Sequence, residues 1–437
     1  MYKKRNILTL SLLLILVNAF PSYAVKAPKA TISPWSVNDL IDAQRQGIIP
    51  STALSESKDL RKNIIPDELS DLDNLSRKKL ETYNLTKNTK YEKSDLKYYT
   101  NKENILNIIF NMLSQYEDTT NQNAVKFLSE KSIYRGSGNP EDLIKPASFE
   151  ESICLFNRAT TYIIEKNNFS SKGMLYSVEN NGNKVYLYGS IHIGDNSMYP
   201  IQKNVMDAFY ASDEIFVEVN VQDKEKMEHM SNEMYHNDGK TLKDDLGDEL
   251  YLKFKSFMDS YDVSEDYYNS LKPWSAYNMI SNLPMNIKMP NASALGIDKY
   301  FIYKANANNK KINELESIEL QTNLLSEFSE EEYKSMINSF IDTANKYGLD
   351  IFTKSSENLK TIWKNGDEKA LNDTLDKDNS FTGNLFDERD INMANKIEEV
   401  LKSNEKKTYF IIAGAAHFTP EDSIIKLLEN KGFKVNK

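Results

Sequence analysis

Hydrophobic positions along this chain change their spacing near residue 172, and the change divides it in two. Before that point apolar residues recur at helical intervals. Trp35, Val37, Leu40, Ile41 and Ala43 form a short amphipathic stripe that Gly47-Ile48-Ile49-Pro50 ends. Ile105, Ile108, Ile109, Met112 and Leu113 form a second stripe, and Phe149, Ile153, Leu155, Phe156, Ala159 and Tyr162 a third. The stretch 134–144 between them is polar, with a turn marked by Arg135, Gly136, Ser137, Gly138, Asn139 and Pro140. The pattern predicts a mostly helical domain over residues 25–172.

Beyond residue 172 strand-like alternation begins. Met174 to Val178 and Lys184 to Gly189 flank the polar run 179–183, which reads as a hairpin loop. A helix is expected after Pro200, using Val205, Met206, Ala208 and Phe209, and then a strand over 214–220. Residues 224–380 read as largely helical, broken at Pro273, Pro284 and Gly296, with strand-like Lys311-Ile312-Asn313 among the helices. The tail predicts a strand at 408–413, a helix at 420–430 and a strand at 432–435. Strand–helix–strand units favour parallel or mixed sheets covered by helices. The fold class expected for residues 173–437 is therefore α/β, a mixed central sheet with covering helices.

Two of those units end their first strand in the same way. Gly189-Ser190-Ile191-His192 follows one apolar strand and Gly414-Ala415-Ala416-His417 follows another, so the fold would contain paired β-GxxH-α-β units. The chain has only 4 histidines, so these motifs use half of them. In open α/β sheets ligands gather beyond the carboxyl ends of strands, where both histidines fall. The glycine of each motif permits close backbone approach to a ligand.

Glu218 lies in Phe216-Val217-Glu218-Val219, facing away from its valines. A carboxylate in an apolar strand is costly to bury unless it is paired or bound to a metal, so a ligand, a base or a structural ion pair are all open. Glu316 follows the short central strand and could face the same place. Asp387-Glu388-Arg389-Asp390 reads as the start of a helix, where Arg389 would hold a carboxylate or a developing oxyanion, or belong to a surface charge cluster. His192, His417 and Glu218 make a reasonable ligand set for divalent zinc, manganese, cobalt or iron, with Glu218 or Glu316 assisting water attack. No HExxH sequence occurs, which excludes a zincin helix. His229 and His236, seven residues apart in a polar helical stretch, read as solvent-facing, and Asp195 as a turn residue.

Lys3, Lys4 and Arg5 precede an apolar run from Ile7 to Phe20 and the small-residue site Ser22-Tyr23-Ala24. This is the order of a secretory signal peptide over residues 1–24, and the run is short for an uncleaved anchor. The expected location is secreted or envelope-associated, with no integral membrane segment after cleavage. The whole chain carries a net charge of -10, and removing three cations with the leader makes the remainder more acidic. Nucleic acid is thus a poor partner, since nonspecific binding depends on neutralising phosphates. Cys154 is the only cysteine, so no intrachain disulfide can form; its apolar setting reads as burial.

Taken together, the segments Tyr186–Gly194, Met198-Tyr199-Pro200, Phe216–Val219, Leu271–Trp274, Gly296-Ile297-Asp298, Leu315-Glu316-Ser317, Asp387-Glu388-Arg389 and Gly414–Phe418 resemble the TraB/GumN family, which includes the Tiki proteins. The resemblance covers about residues 174–435. It implies a compact α/β fold with paired GxxH motifs and a metal-dependent hydrolase. Tiki proteins act as metalloproteases, and a bacterial branch is linked to peptide-pheromone shutdown. His192 and His417 match the paired histidines, Glu218 the acidic residue after the first motif, and Glu316 and Arg389 further recurrent positions.

The helical region lies outside that match. Trp35-Ser36-Val37, Ile41-Asp42-Ala43 and Gly47-Ile48-Ile49-Pro50 weakly resemble surface-layer homology modules, which implies contact with cell-wall polymer. The arginine motifs of those modules are not clear here. The leading expectation is an exported metallopeptidase acting on peptide or protein. A metal-dependent esterase or amidase on a small molecule or envelope component uses the same residues, and a nonenzymatic envelope-associated binding protein is the third alternative.

Overall fold

A computed structural model describes residues 30–92, 97–320, 323, 328–374, 380–418 and 423–437. The expected signal peptide lies outside the described residues. The chain forms two compact units, one within residues 24–171 and 195–206, the other within 172–194 and 207–437.

The first unit is helical. It contains α1 (Val37–Gln46), α2 (Pro66–Glu81), α3 (Lys102–Ser114), α4 (Ala124–Glu130) and α5 (Phe149–Lys166). Gly47 ends α1 in the left-handed region, at φ 76°, returning its N–H to the carbonyls of Ala43 and Gln44. Asn101 and Ser148 cap α3 and α5 through their side chains. The apolar stripes of α3 and α5 meet in one core that includes Ile105, Ile109, Phe156 and Ile163. Trp35, expected on the buried stripe of α1, instead precedes the helix and is 55% exposed. The hydrophobic pattern does not predict α2 or α4, because the buried face of α2 is interrupted by Asp73, Ser76 and Lys79 and α4 has only 7 residues. Cys154 is buried, and burial pushes its thiol pKa up, away from nucleophilic use.

The second unit is built on a mixed six-stranded sheet, β1 (Met174–Asn180), β2 (Asn183–Ser190), β3 (Glu214–Val217), β4 (Lys311–Glu314), β5 (Thr408–Gly414) and β6 (Val435–Asn436), in the order β4-β3-β5-β2-β1-β6. Strands β2, β5, β3 and β4 run parallel as neighbours, while β1 is antiparallel to both β2 and β6. Asn181 and Gly182 join β1 to β2 with positive φ at both residues, the twist a two-residue hairpin requires. Helix α6 (Lys203–Ala211) lies between β2 and β3, and the last helix, Ile424–Asn430, between β5 and β6. The paired units are thus present, although β6 is shorter than the expected 432–435 and begins three residues later.

Between β3 and β4 run α7 (Lys224–Glu233), α8 (Leu242–Asp259), α9 (Pro273–Lys288) and α10 (Ile297–Ala307). Between β4 and β5 run α11 (Glu330–Tyr347), α12 (Asp350–Asn365), α13 (Glu368–Thr374) and α14 (Ser380–Lys402), which makes the last helix α15. Tyr188, Phe209, Phe301, Phe410 and Trp363 pack edge to face and tilted on the sheet, with ring centroids such as Phe301–Phe410 at 5.0 Å. A separate helical core gathers Phe254, Tyr268, Tyr277, Ile337 and Phe340, and takes in Val219 and Ile318. Among the described residues no helix is long and apolar enough to cross a membrane.

Candidate functional site

Four neighbouring parallel strands end at one edge of the sheet, and each delivers a polar side chain there. Strand β2 leads to His192, β5 to His417, β3 to Glu218 and β4 to Glu316. Register explains the convergence: Ser190 pairs with Gly414, Val217 with Ile412, and Val217 again with Glu314. The β3 ladder stops at Val217, short of the expected 220, so Glu218 stands just past the strand. Its backbone still pairs outward, the Glu316 N–H donating to the Glu218 carbonyl at 2.9 Å.

Glu218 is 4% exposed and lies between the two imidazoles. Its Oε1 is 3.9 Å from Nε2 of His192 and 4.0 Å from Nε2 of His417, and it accepts the Gly414 N–H at 2.5 Å. Its Oε2 accepts from Nη2 of Arg389 at 2.9 Å. The same guanidinium donates through Nε and Nη2 to the two oxygens of Glu316, both at 2.7 Å. Arg389, Glu218 and Glu316 are all buried, so each charge depends on the others. Burial pushes the Glu218 carboxyl up, but His417, Arg389, His192 and the Gly414 N–H more than offset it and hold it down at about 2.

Both imidazoles turn Nε2 inward because Nδ1 is engaged elsewhere. Nδ1 of His192 lies 2.8 Å from Oδ2 of Asp298, and Nδ1 of His417 is hydrogen-bonded to Oδ1 of fully buried Asp390. For His192, burial disfavours charge, but the Asp298 and Glu218 carboxylates outweigh it and raise its pKa to about 9. His192 is half-buried and His417 buried, so the open side of the site lies at His192. Trp363 donates from Nε1 to the Gly189 carbonyl at 2.7 Å, fixing the start of the first motif.

Gly414 leaves the space between these groups clear. A Cβ there would stand 3.3 Å from Glu218 Oε1, 3.6 Å from His417 Cδ2 and 3.9 Å from His192 Nε2. Its φ of -51° is open to any residue, so the requirement is for space. Among the described residues no three His, Cys, Asp or Glu side chains close into a metal cage. The donors nevertheless fit a divalent ion in kind: two imidazoles with carboxylate-engaged Nδ1 atoms face one ionised carboxylate across a cradle that a methyl would fill.

The structure therefore brings together His192, His417, Glu218, Glu316 and Arg389. Arg389 and Asp390 lie inside α14, well past its first turn, rather than at the helix start expected from their acidic neighbours; nothing between Ser380 and Asp387 forces a break, and one glycine is tolerated. Asp298 and Asp390 received no role from the sequence, being two among 64 acidic residues. The other histidines lie elsewhere. His229 is exposed on α7 as expected, while His236, expected to face solvent, lies beyond that helix, only partly exposed and bonded at 2.6 Å to buried Asp245. Asp195 accepts the Ser197 N–H at 2.7 Å as a turn residue does.

Strands carrying paired histidines over buried carboxylates define a class of α/β proteins with a polar site at the carboxyl end of the sheet. The chain belongs to the TraB/PrgY/gumN family, whose match covers residues 174–437. Among curated proteins it is similar to a metalloprotease TIKI homolog of Nematostella vectensis, 20% identical over 302 residues, covering 57% of this chain and 64% of that protein. It is also similar to metalloprotease TIKI1 of Danio rerio, 22% identical over 299 residues, covering 57% of this chain and 60% of that protein. The chain thus spans under two thirds of the length of these relatives. No solved structure matches it.

Proposed function

We propose that the second unit is a metal-dependent hydrolase, and foremost a metallopeptidase cleaving peptide or protein substrates. The observation that carries this reading is the pair of inward-facing Nε2 atoms, each about 4 Å from the same Glu218 oxygen. The names of the TIKI relatives support peptide substrates.

In this reading His192, His417 and Glu218 hold the ion, which is zinc, manganese, cobalt or iron. Such an ion supplies Lewis acidity, acidifying water and polarising the scissile carbonyl. Asp298 and Asp390 keep the imidazole Nδ1 atoms engaged and the rings aimed. Arg389 donates to one Glu218 oxygen and the Gly414 N–H to the other, which favours the ionised carboxylate and suits it to binding a cation more than to taking a proton. Glu316 has both oxygens on Arg389, so it acts by holding the guanidinium that in turn fixes Glu218. The half-buried His192 side is where substrate enters. An esterase or amidase would use the same groups.

Elemental analysis of the purified protein, followed by peptide-library cleavage with and without chelator, tests the reading. Expected are stoichiometric metal and chelator-sensitive cleavage, both lost in His192→Ala and His417→Ala. Unchanged cleavage in both variants would discard the mechanism. Cleavage confined to esters would favour the runner-up, and metal without hydrolysis would favour an envelope-associated binding protein. We carry two further proposals with it: export through the leader at residues 1–24, and contact of the N-terminal unit with cell-wall polymer. The polymer proposal is supported by the exposed Trp35 ring, a flat apolar face available for stacking on sugar, and co-sedimentation with purified wall tests it.

A further inference from the structure

We infer that Ser190, acting through Asp298, orients His192, so that the hydroxyl of the first GxxH motif is a positioning group for the site. The inference takes its functional meaning from the hydrolase reading but stands on its own contacts.

The contacts form a chain. Ser190 is fully buried, and its Oγ donates to Oδ1 of Asp298 at 2.5 Å. The other oxygen of Asp298 lies 2.8 Å from Nδ1 of His192. A buried hydroxyl is costly without a partner, and this bond supplies one. Asp298 sits in the first turn of α10, and the backbone leading into it is fastened to the motif itself. The Ile297 N–H donates to the Ile191 carbonyl at 3.0 Å. At Gly296 a Cβ would come within 2.3 Å of the His192 carbonyl oxygen, so only glycine permits this approach. Backbone contacts thus set where Asp298 begins, and Ser190 sets how its carboxylate is turned.

The second motif shows why one hydroxyl is enough. There the matching residue is Ala415, which offers no such bond. His417 draws its carboxylate from Asp390, fully buried within α14 and adjacent to Arg389, which is tied to Glu316 and Glu218. Asp390 is held by a long helix pinned at the site. Asp298 comes from a helix start beside the open edge, with 15% of its side chain exposed, and needs a second anchor. The difference between Gly-Ser-Ile-His and Gly-Ala-Ala-His follows from where each histidine finds its acid.

The test compares full-length wild type with Ser190→Ala, Ser190→Thr and Asp298→Asn. Zinc affinity is measured by titration with zinc chloride against a competing chelator. In the metal-free proteins, proton NMR follows the low-field Nδ1–H signals of His192 and His417. Ser190→Ala is expected to weaken zinc binding about tenfold, in line with the loss of other partners behind metal ligands. It should move the His192 signal and leave that of His417 in place. Ser190→Thr should restore both readings, and Asp298→Asn should fall at least as far as Ser190→Ala. Wild-type zinc affinity together with an unmoved His192 signal in Ser190→Ala would overturn the inference. Should wild type take up none of zinc, manganese, cobalt or iron in the same titration, the hydrolase reading falls, and the His192 signal alone decides whether Ser190 orients the ring.

Discussion

Arg389 donates to Glu218 at 2.9 Å from within α14, and the next residue of that helix, Asp390, holds His417. One turn of helix therefore governs both the carboxylate and one imidazole of the site. The guanidinium also closes a two-point grip on Glu316, so a single cation serves two buried acids.

That arrangement predicts a large loss when the cation is removed. Arg389→Leu leaves Glu218 and Glu316 buried without their partner, and breaking such a network costs about 3 to 5 kcal/mol. Arg389→Lys keeps charge but cannot make the fork, and should fall between the two. Urea denaturation of the metal-free proteins measures both, and a Leu variant within 1 kcal/mol, roughly the scale of an exposed ion pair, would contradict the network.

Gly414→Ala tests the cradle. Its backbone angles suit alanine, so the melting temperature should stay close to wild type. The added methyl stands 3.3 Å from Glu218 Oε1 and occupies the space facing both rings. Metal content and cleavage should both drop at least tenfold. An alanine variant that binds and cleaves like wild type would show that the ion, if any, lies elsewhere.

Glu218→Gln separates ligand from base. As a ligand, the residue loses its charge and metal content falls with activity. As a base, the variant would keep stoichiometric metal and lose turnover alone. We expect the first outcome, because Arg389 and the Gly414 N–H donate to its two oxygens and favour the carboxylate, and elemental analysis beside initial rates decides it.

His192 gives a pH signature in the metal-free protein. Its folded pKa is raised to about 9 from an ordinary 6.5. The stabilisation from its charged form is therefore full below about 6.5 and lost as pH rises through 9. Melting temperatures in chelator should fall over that window in wild type, with a smaller fall in His192→Gln. Equal slopes in the two proteins would remove the assignment.

Trp363→Phe should destabilise by about 1 to 3 kcal/mol, because the Gly189 carbonyl loses its buried donor. The effect on metal affinity should be smaller than that of Ser190→Ala, since the tryptophan holds the motif's backbone and not its imidazole.

Much of this architecture was legible in the chain. Apolar strands ending in GxxH placed His192 and His417 at strand ends, and parallel pairing of β2 with β5 brought those ends side by side. Glu218 was visible as an acid among valines, and Glu316 as an acid after a short strand. Asp298 and Asp390 were not, because nothing local separates an acid that reaches a histidine more than 100 or only 27 positions away from one that faces water. The start of α14 was misplaced for a related reason: an acidic cluster resembles a first turn, whereas here two of its members are internal residues turned toward the sheet. The length of β3 was overestimated because Val219 looks like a strand residue by composition, yet it packs into the helical core.

That last placement has a mechanical consequence. Val219 follows Glu218 directly, Ile318 comes two residues after Glu316, and both are seated in the core formed by α8, α9 and α11. The two acids therefore stand where the chain passes from the sheet into the helical core. A shift of α8, α9 or α11 would therefore act on the two short backbone stretches that carry Glu218 and Glu316.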